Sequence, residues 1–179
     1  MLLLSCAHKK DKFAIGQDSL HETKVSDQLL YSVSAEHFFS SNQVKDKFRL
    51  ELIGKDTLSG LVKFQILNSS GDSIYSIVFE SRALFDYGLP DNSTEVEEGK
   101  YVIKRLDNFF NAENFVKPAI GSSEVYDSAY YDVINEDNWK IVKSDSQLTG
   151  FYYLLWEGDQ TWLTFLKEDK KVVKYKICC

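Results

Sequence analysis

The stretch from Phe151 to Ile177 constrains the fold more than any other part of the chain. It contains three runs of aromatic, aliphatic and β-branched residues, FYYLLW, TWLTFL and VVKYKI, with the polar turns EGDQ and KEDK between them. Runs of this composition with short polar breaks are typical of an antiparallel meander, whose strands are neighbours both in sequence and in the sheet. Such a sheet must bury one face against another layer, which indicates a globular domain.

Alternating hydrophobicity predicts a second three-stranded meander earlier in the chain, with GKDTLSG and NSSGD as its turns. Its inward residues are Phe48, Leu50 and Leu52, then Val62, Phe64 and Ile66, then Tyr75, Ile77 and Phe79. The two meanders could form one sheet or two layers. Just before them the sequence is open to two interpretations: QLLYSV suits a short strand, whereas AEHFF suits a helix capped by Ser34.

One main helix is predicted between the meanders. Thr94 and Glu97 have the spacing of a capping box, in which each side chain binds a backbone N–H of the first turn. Apolar residues then recur every three or four positions up to Phe110, as on one face of a helix. The region that follows is less regular, with a helical turn predicted at 127–133 and a short strand at 139–142. We therefore expect an α+β fold in which an antiparallel sheet packs against one main helix.

The length of the chain limits the number of domains, and its net charge limits the class of partner. With 179 residues the chain suits one sizeable core, which we assign to 28–179. The net charge of -6 and the absence of a long run of Lys or Arg give no basic field for a phosphate backbone. Nucleic acid is accordingly not an expected partner.

The most specific motif lies at the start of the chain. Leu3, Leu4 and Ser5 directly precede Cys6. This order resembles the lipobox of bacterial lipoproteins, and the resemblance implies cleavage before Cys6 and a diacylglycerol on its thiol. The match covers residues 1–6 only and lacks a charged n-region and most of an apolar h-region. Two alternatives follow: the true start lies upstream, or the motif is accidental.

The next segment fits a lipid anchor. Residues 7–27 carry scattered charges and no sustained period, as expected of a flexible tether between a lipid and a folded domain. A frayed terminus would have the same composition. The truncated lipobox, the polar tether and the aromatic-rich body together resemble small bacterial lipoproteins of the Bacteroidetes type, a resemblance that names no ligand. It implies a place in the cell envelope, either at the outer membrane or in the periplasm.

The sequence carries no recognisable catalytic or metal-binding motif. His8, His21 and His37 all precede the first confident strand, and no HExxH, HxH or CxxC spacing occurs. We expect no metal and no cofactor. A Ser–His–Asp hydrolase would have to recruit His37, but the chain has no GxSxG elbow. Carboxylates in turns, such as those of Glu157 and Asp159, are more simply solvated than paired for glycoside hydrolysis.

Aromatic residues are the candidate ligand-binding groups. Exposed rings with a polar edge stack on sugars and peptides. The candidates are Tyr130, Tyr131, Trp139, Trp156 and Trp162. Both faces of FYYLLW are apolar, so some of these rings must instead fill a core. Two or more coplanar, solvent-facing rings would favour a binding platform.

The chain ends in two adjacent cysteines, Cys178 and Cys179. An oxidising envelope permits a strained vicinal disulfide, whereas two unpaired thiols at a strand end are the simpler interpretation.

The leading functional hypothesis is a non-catalytic binding or structural domain, anchored at a membrane through Cys6 and contacting a protein or glycan. An envelope hydrolase acting on glycan or peptide is the first alternative. A cytoplasmic interaction domain without an anchor is the second.

Overall fold

Two antiparallel sheets and two α-helices form an α+β fold in the computed structural model, which describes residues 28–127 and 135–178 except the side chain of Cys178. The first sheet has the order β1-β2-β3-β4 and the second β5-β6-β7-β8. The first contains β1 (Leu29–His37), β2 (Asp46–Ile53), β3 (Leu61–Leu67) and β4 (Ser73–Glu80). The second contains β5 (Phe115–Val116), β6 (Gly150–Leu155), β7 (Asp159–Leu166) and β8 (Lys171–Cys178), and the helices are α1 (Glu95–Asn108) and α2 (Glu136–Ser144).

The first sheet is apolar on one face and polar on the other, as its alternation predicts. Across β2 and β3 the registered pairs of the inner face are Phe48 with Ile66, Leu50 with Phe64, and Leu52 with Val62, all buried. On the outer face Arg49 pairs with Gln65, and its guanidinium donates to the Gln65 amide oxygen over 2.7 Å. Burial of the inner face therefore sets the register of this sheet.

Both sheets and α1 share one buried cluster. Phe151 of the second sheet packs against Phe48 of the first with ring centroids 5.1 Å apart. The hydroxyls of Tyr75 and Tyr153 lie 3.0 Å apart and join the two sheets by a hydrogen bond. Val102 and Leu106 of α1 complete this cluster.

A second cluster fixes α2 on the opposite face of the second sheet. Trp139 and Val142 of α2 pack with Leu166 of β7 and with Val173 and Tyr175 of β8. These strand residues alternate with Phe165 and Val172, which pack against the shared cluster instead. The second sheet is thus covered on both faces.

Each meander has one strand more than the three expected. In the first sheet β1 continues to His37, so residues from Ser34 onward form a strand and not the alternative helix. Val33 and Ala35 pair with Leu50 and Phe48, and this extends the buried face of the sheet. In the second sheet the added strand is β5, a two-residue segment that pairs with β6.

The described residues contain two helices where one main helix was expected. The predicted capping box of α1 is confirmed, because Thr94 N donates to Glu97 Oε2 over 2.8 Å and Glu97 N donates to Thr94 Oγ1. The predicted strand at 139–142 is wrong, since these residues belong to α2. The Asn135 side chain caps that helix by accepting from Asp137 N at 2.8 Å and from Asn138 N.

Several expectations fall outside the described residues. These are the lipobox and tether at 1–27, most of the helical turn at 127–133, and Cys179. Among the described helices, none combines the length and the apolar character that a bilayer crossing requires.

Candidate ligand-binding surface

The described tryptophans of the candidate set occupy three different environments. Trp139 is buried in the second cluster, with 4% of its surface exposed. Trp162 is half-buried and stacks face to face on Tyr152, with centroids 4.4 Å apart, so these rings face each other and form no side-by-side platform. Trp156 is 53% exposed. Tyr130 and Tyr131 lie outside the described residues, and ligand binding by the set as a whole stays a prediction.

Trp156 lies at the β6–β7 turn in a conformation that bulky residues avoid. Its φ is 51° and that of Glu157 is 61°, both in the left-handed region, and Gly158 follows at 141°. For residues with a Cβ this region costs about 1 to 2 kcal/mol each. Strain of this kind persists where the surroundings enforce it, and it concentrates at functional sites. The Trp156 indole on this turn is exposed and therefore contributes little to the core.

A second exposed ring, that of Tyr87, lies at the same corner. Tyr87 is 86% exposed, and its Cε2 atom lies 3.9 Å from the position that a Cβ at Gly158 would take. The Glu157 N–H donates to the Phe85 carbonyl over 3.1 Å and joins the turn to the Tyr87 loop. We call Tyr87, Gly88 and the turn 156–158 the aromatic corner. Tyr87 was not among the predicted binding residues, because its proximity to the turn 156–158 is a tertiary contact.

Three side chains attach the Tyr87 loop to α1; we call Asp86, Tyr101 and Arg105 the Asp86 clamp. Arg105 Nη1 lies 3.2 Å from Asp86 Oδ2, and the Tyr101 hydroxyl donates to Asp86 Oδ1. Gly88 N also donates to Oδ1, over 2.8 Å. The remaining guanidinium N–H groups of Arg105 donate to the carbonyls of Leu84 at 3.2 Å and Leu154 at 3.5 Å. Arg105 thereby contacts, from one helix, Asp86 of the Tyr87 loop and the end of β6 that leads into the turn 156–158.

The clamp alters the ionisation of its members. Burial opposes ionisation of Asp86, but hydrogen bonds from Tyr101 and Gly88 and the charge of Arg105 outweigh it and lower the pKa of Asp86. Burial, followed by the hydrogen bond to Asp86, raises the pKa of Tyr101 to about 12. At neutral pH Asp86 is therefore ionised and Tyr101 is neutral. In these forms the Tyr101 hydroxyl can donate to the Asp86 carboxylate.

Gly88 lies in close contact with the Asp86 clamp. A Cβ at Gly88 would lie 2.7 Å from the Tyr101 hydroxyl and 3.0 Å from Asp86 Oδ1. The backbone of the Tyr87 loop thus packs directly on the clamp.

A small groove continues from the corner along α1. Its volume is about 290 Å³, and its lining residues are Leu89, Pro90, Ser93, Glu97, Lys100, Tyr101 and Lys104. The Glu97 carboxylate caps α1, whereas Lys100 and Lys104 form no salt bridge with any described residue. The groove therefore combines apolar walls with two available ammonium groups.

The contacts of His37 are packing contacts. Its ring stacks on Phe115 at a centroid distance of 3.5 Å, and burial, with a smaller contribution from the charge of Lys45, lowers its pKa. The adjacent Ser40 does not bond to His37; its hydroxyl and its N–H donate to the buried Asp46 carboxylate over 2.7 and 2.6 Å. Ser40 and Asp46 thereby close the β1–β2 loop.

Within 28–127 and 135–178, no three His, Cys, Asp or Glu side chains converge in an arrangement that could hold a metal ion. No protein-family model, curated protein or solved structure matches the chain.

Proposed function

We propose that this chain is a lipid-anchored envelope protein without catalytic activity, whose α+β domain binds a partner through the aromatic corner. The observation that carries the proposal is the exposure of Trp156 and Tyr87 on two loops that meet at one point. Isolated exposed apolar residues need no explanation, but here the exposed indole is also kept in a strained backbone conformation.

Rigid presentation of the rings supports a binding role. The Asp86 clamp and the Glu157–Phe85 hydrogen bond fix both loops to α1 and to the second sheet. Preorganised rings lose little conformational entropy when a ligand binds, and Tyr and Trp offer large amphipathic contact surfaces. A protein or a glycan ligand would both use such rings.

Binding measurements with single-ring variants test this role. The full-length protein is titrated with a panel of envelope polysaccharides and peptides, and Trp156→Ala and Tyr87→Ala are compared with wild type. We expect each variant to lose at least about tenfold in affinity while its unfolding curve stays near that of wild type.

Phe38→Ala is the matched control, since it removes another exposed ring, 44% accessible, from the distant β1–β2 loop. Equal loss of binding in Phe38→Ala, or unchanged binding in both corner variants, would refute the corner as the ligand site.

The membrane anchor is proposed from the sequence alone. Leu3, Leu4, Ser5 and Cys6 supply the lipobox-like order. Metabolic labelling with an alkyne fatty acid in the native host should label the wild-type chain and leave Cys6→Ala unlabelled. Labelling of neither chain would remove the anchor from the proposal and favour the cytoplasmic alternative.

A further inference from the structure

Two lysines of α1 extend the aromatic corner into a positively charged groove. Lys100 and Lys104 are four residues apart, so they lie on the same side of the helix one turn from each other. Both are exposed and line the groove beside Leu89 and Pro90. Neither lysine forms a salt bridge with a described residue, and the other charged side chain that lines the groove, Glu97, already caps α1.

The other charged groups at this site are already engaged or lie elsewhere. Asp86 is paired with Arg105, and Glu97 accepts hydrogen bonds from Thr94 N and Thr94 Oγ1, each over 2.8 Å. Glu157 within the turn and Asp159 directly after it carry exposed carboxylates. The corner and the groove thus combine two carboxylates, two aromatic rings and two ammonium groups.

We propose that the aromatic corner and this groove bind an acidic glycan, a deepening that rests on the proposed function. Each group has a matching chemical partner in such a ligand. Sugar rings stack on Tyr87 and Trp156 through their C–H faces, and sugar hydroxyls donate to Glu157 and Asp159. The carboxylate or phosphate substituent binds Lys100 and Lys104 by charge-assisted hydrogen bonds. A neutral glycan would leave both ammonium groups without a ligand contact.

Matched pairs of acidic and neutral glycans test the inference. The full-length protein is titrated calorimetrically with oligogalacturonate and its methyl ester, with oligomannuronate and its methyl ester, and with phosphomannan and dephosphorylated mannan. Within at least one pair, the acidic form should bind about tenfold or more tightly than its neutral partner. This preference should shrink as salt rises, because exposed charges are screened.

Variants test which side chains produce the preference for acidic over neutral glycans. The Lys100→Ala, Lys104→Ala double variant should bind the acidic and the neutral glycan of a pair with nearly equal affinity. Trp156→Ala should instead lower the affinity for both glycans by the same factor. Lys167→Ala with Lys174→Ala removes the same charge from exposed positions on the β7–β8 side and should leave the ratio unchanged.

The outcomes separate the inference from the proposed function. Corner-dependent binding of neutral glycans or of peptides, with no preference for any acidic form, overturns the inference and leaves the binding role in place. A preference that survives in the Lys100→Ala, Lys104→Ala double variant also overturns it. Absence of corner-dependent binding across the whole panel, peptides included, overturns both.

Discussion

Arg105 and Asp86 form the ion pair on which the candidate site depends, with Nη1 and Oδ2 3.2 Å apart. About three quarters of each side chain is shielded from solvent, since 24% of Arg105 and 21% of Asp86 are exposed. The same guanidinium donates to the carbonyls of Leu84, shortly before the Tyr87 loop, and of Leu154 near the end of β6. One residue of α1 thus connects the helix, the Tyr87 loop and the end of β6.

Removing this guanidinium should destabilise the fold. Arg105→Met leaves the Asp86 carboxylate without its cation and the carbonyls of Leu84 and Leu154 without a donor. We expect the free energy of unfolding in urea to fall by about 1 to 3 kcal/mol. Lys140→Met serves as the control, because its ion pair with Glu136 is largely exposed and should contribute less than about 0.5 kcal/mol. Similar losses in the two variants would show that the clamp is energetically an ordinary surface pair.

Stability should decline in acid, in part through Asp86 and Glu124. For Glu124, burial opposes ionisation, but the hydrogen bond from Lys176, the Gly121 N–H and nearby lysine charges lower the pKa. Both carboxyls therefore have pKa values below those of the unfolded chain, about 3.9 for Asp and 4.3 for Glu. Their stabilisation is complete above these values and is lost as pH falls through the folded-state pKa.

Urea unfolding between about pH 7 and about pH 3 measures this loss. Asp86→Asn should be less stable than wild type at neutral pH, and the difference should narrow toward the acid end. A constant difference across the range would contradict the lowered pKa of Asp86.

Much of the fold follows from local patterns in the sequence. Alternation predicted β2, β3 and β4, and the capping box at Thr94 predicted the start of α1. The strand β1 alternates regularly from Tyr31 to His37, but it was ambiguous because AEHFF after Ser34 also suits the start of a helix. Helix α2 was missed because W, I and V in the segment WKIV suit a strand, although Asn135 was an available capping signal.

Only part of the candidate site could be predicted from the sequence. Trp156 was a candidate from its residue type, but residue type alone could not distinguish its exposure from the burial of Trp139. The contribution of Tyr87 depends on a hydrogen bond between residues 85 and 157, a tertiary contact without local signature. Solvent exposure and long-range proximity were therefore the missing information.

Truncating a side chain in the buried cluster shared by both sheets should be among the most destabilising single substitutions. Phe151 is fully buried and contacts Phe48 and Phe115, with centroids 5.1 and 4.7 Å away. Phe151→Ala should lower the free energy of unfolding by about 3 to 5 kcal/mol, since it removes a large apolar group and leaves a cavity. Phe38→Ala at the exposed loop should cost less than about 1 kcal/mol. Chemical denaturation of the two variants checks the contrast.

A substitution in α1 should stabilise the protein. Gly99 lies inside the helix, and a Cβ there would be 4.0 Å from Thr57 Cβ, an ordinary van der Waals distance. Gly99→Ala should raise the free energy of unfolding by about 0.5 to 1 kcal/mol, because alanine loses less conformational entropy in a helix. Thermal unfolding should show a higher midpoint. A lower midpoint would mean that the β2–β3 loop packs against Gly99 more closely than this distance indicates.

Trp156→Gly tests most directly whether the strained tryptophan serves binding. Glycine accepts positive φ without steric cost, so the unfolding free energy should stay within about 1 kcal/mol of wild type or rise above it. Binding to the glycan and peptide panel should nevertheless fall by at least about tenfold, because the exposed indole is gone. Unchanged binding together with a loss of more than about 2 kcal/mol in stability would show instead that Trp156 supports the fold and contacts no ligand.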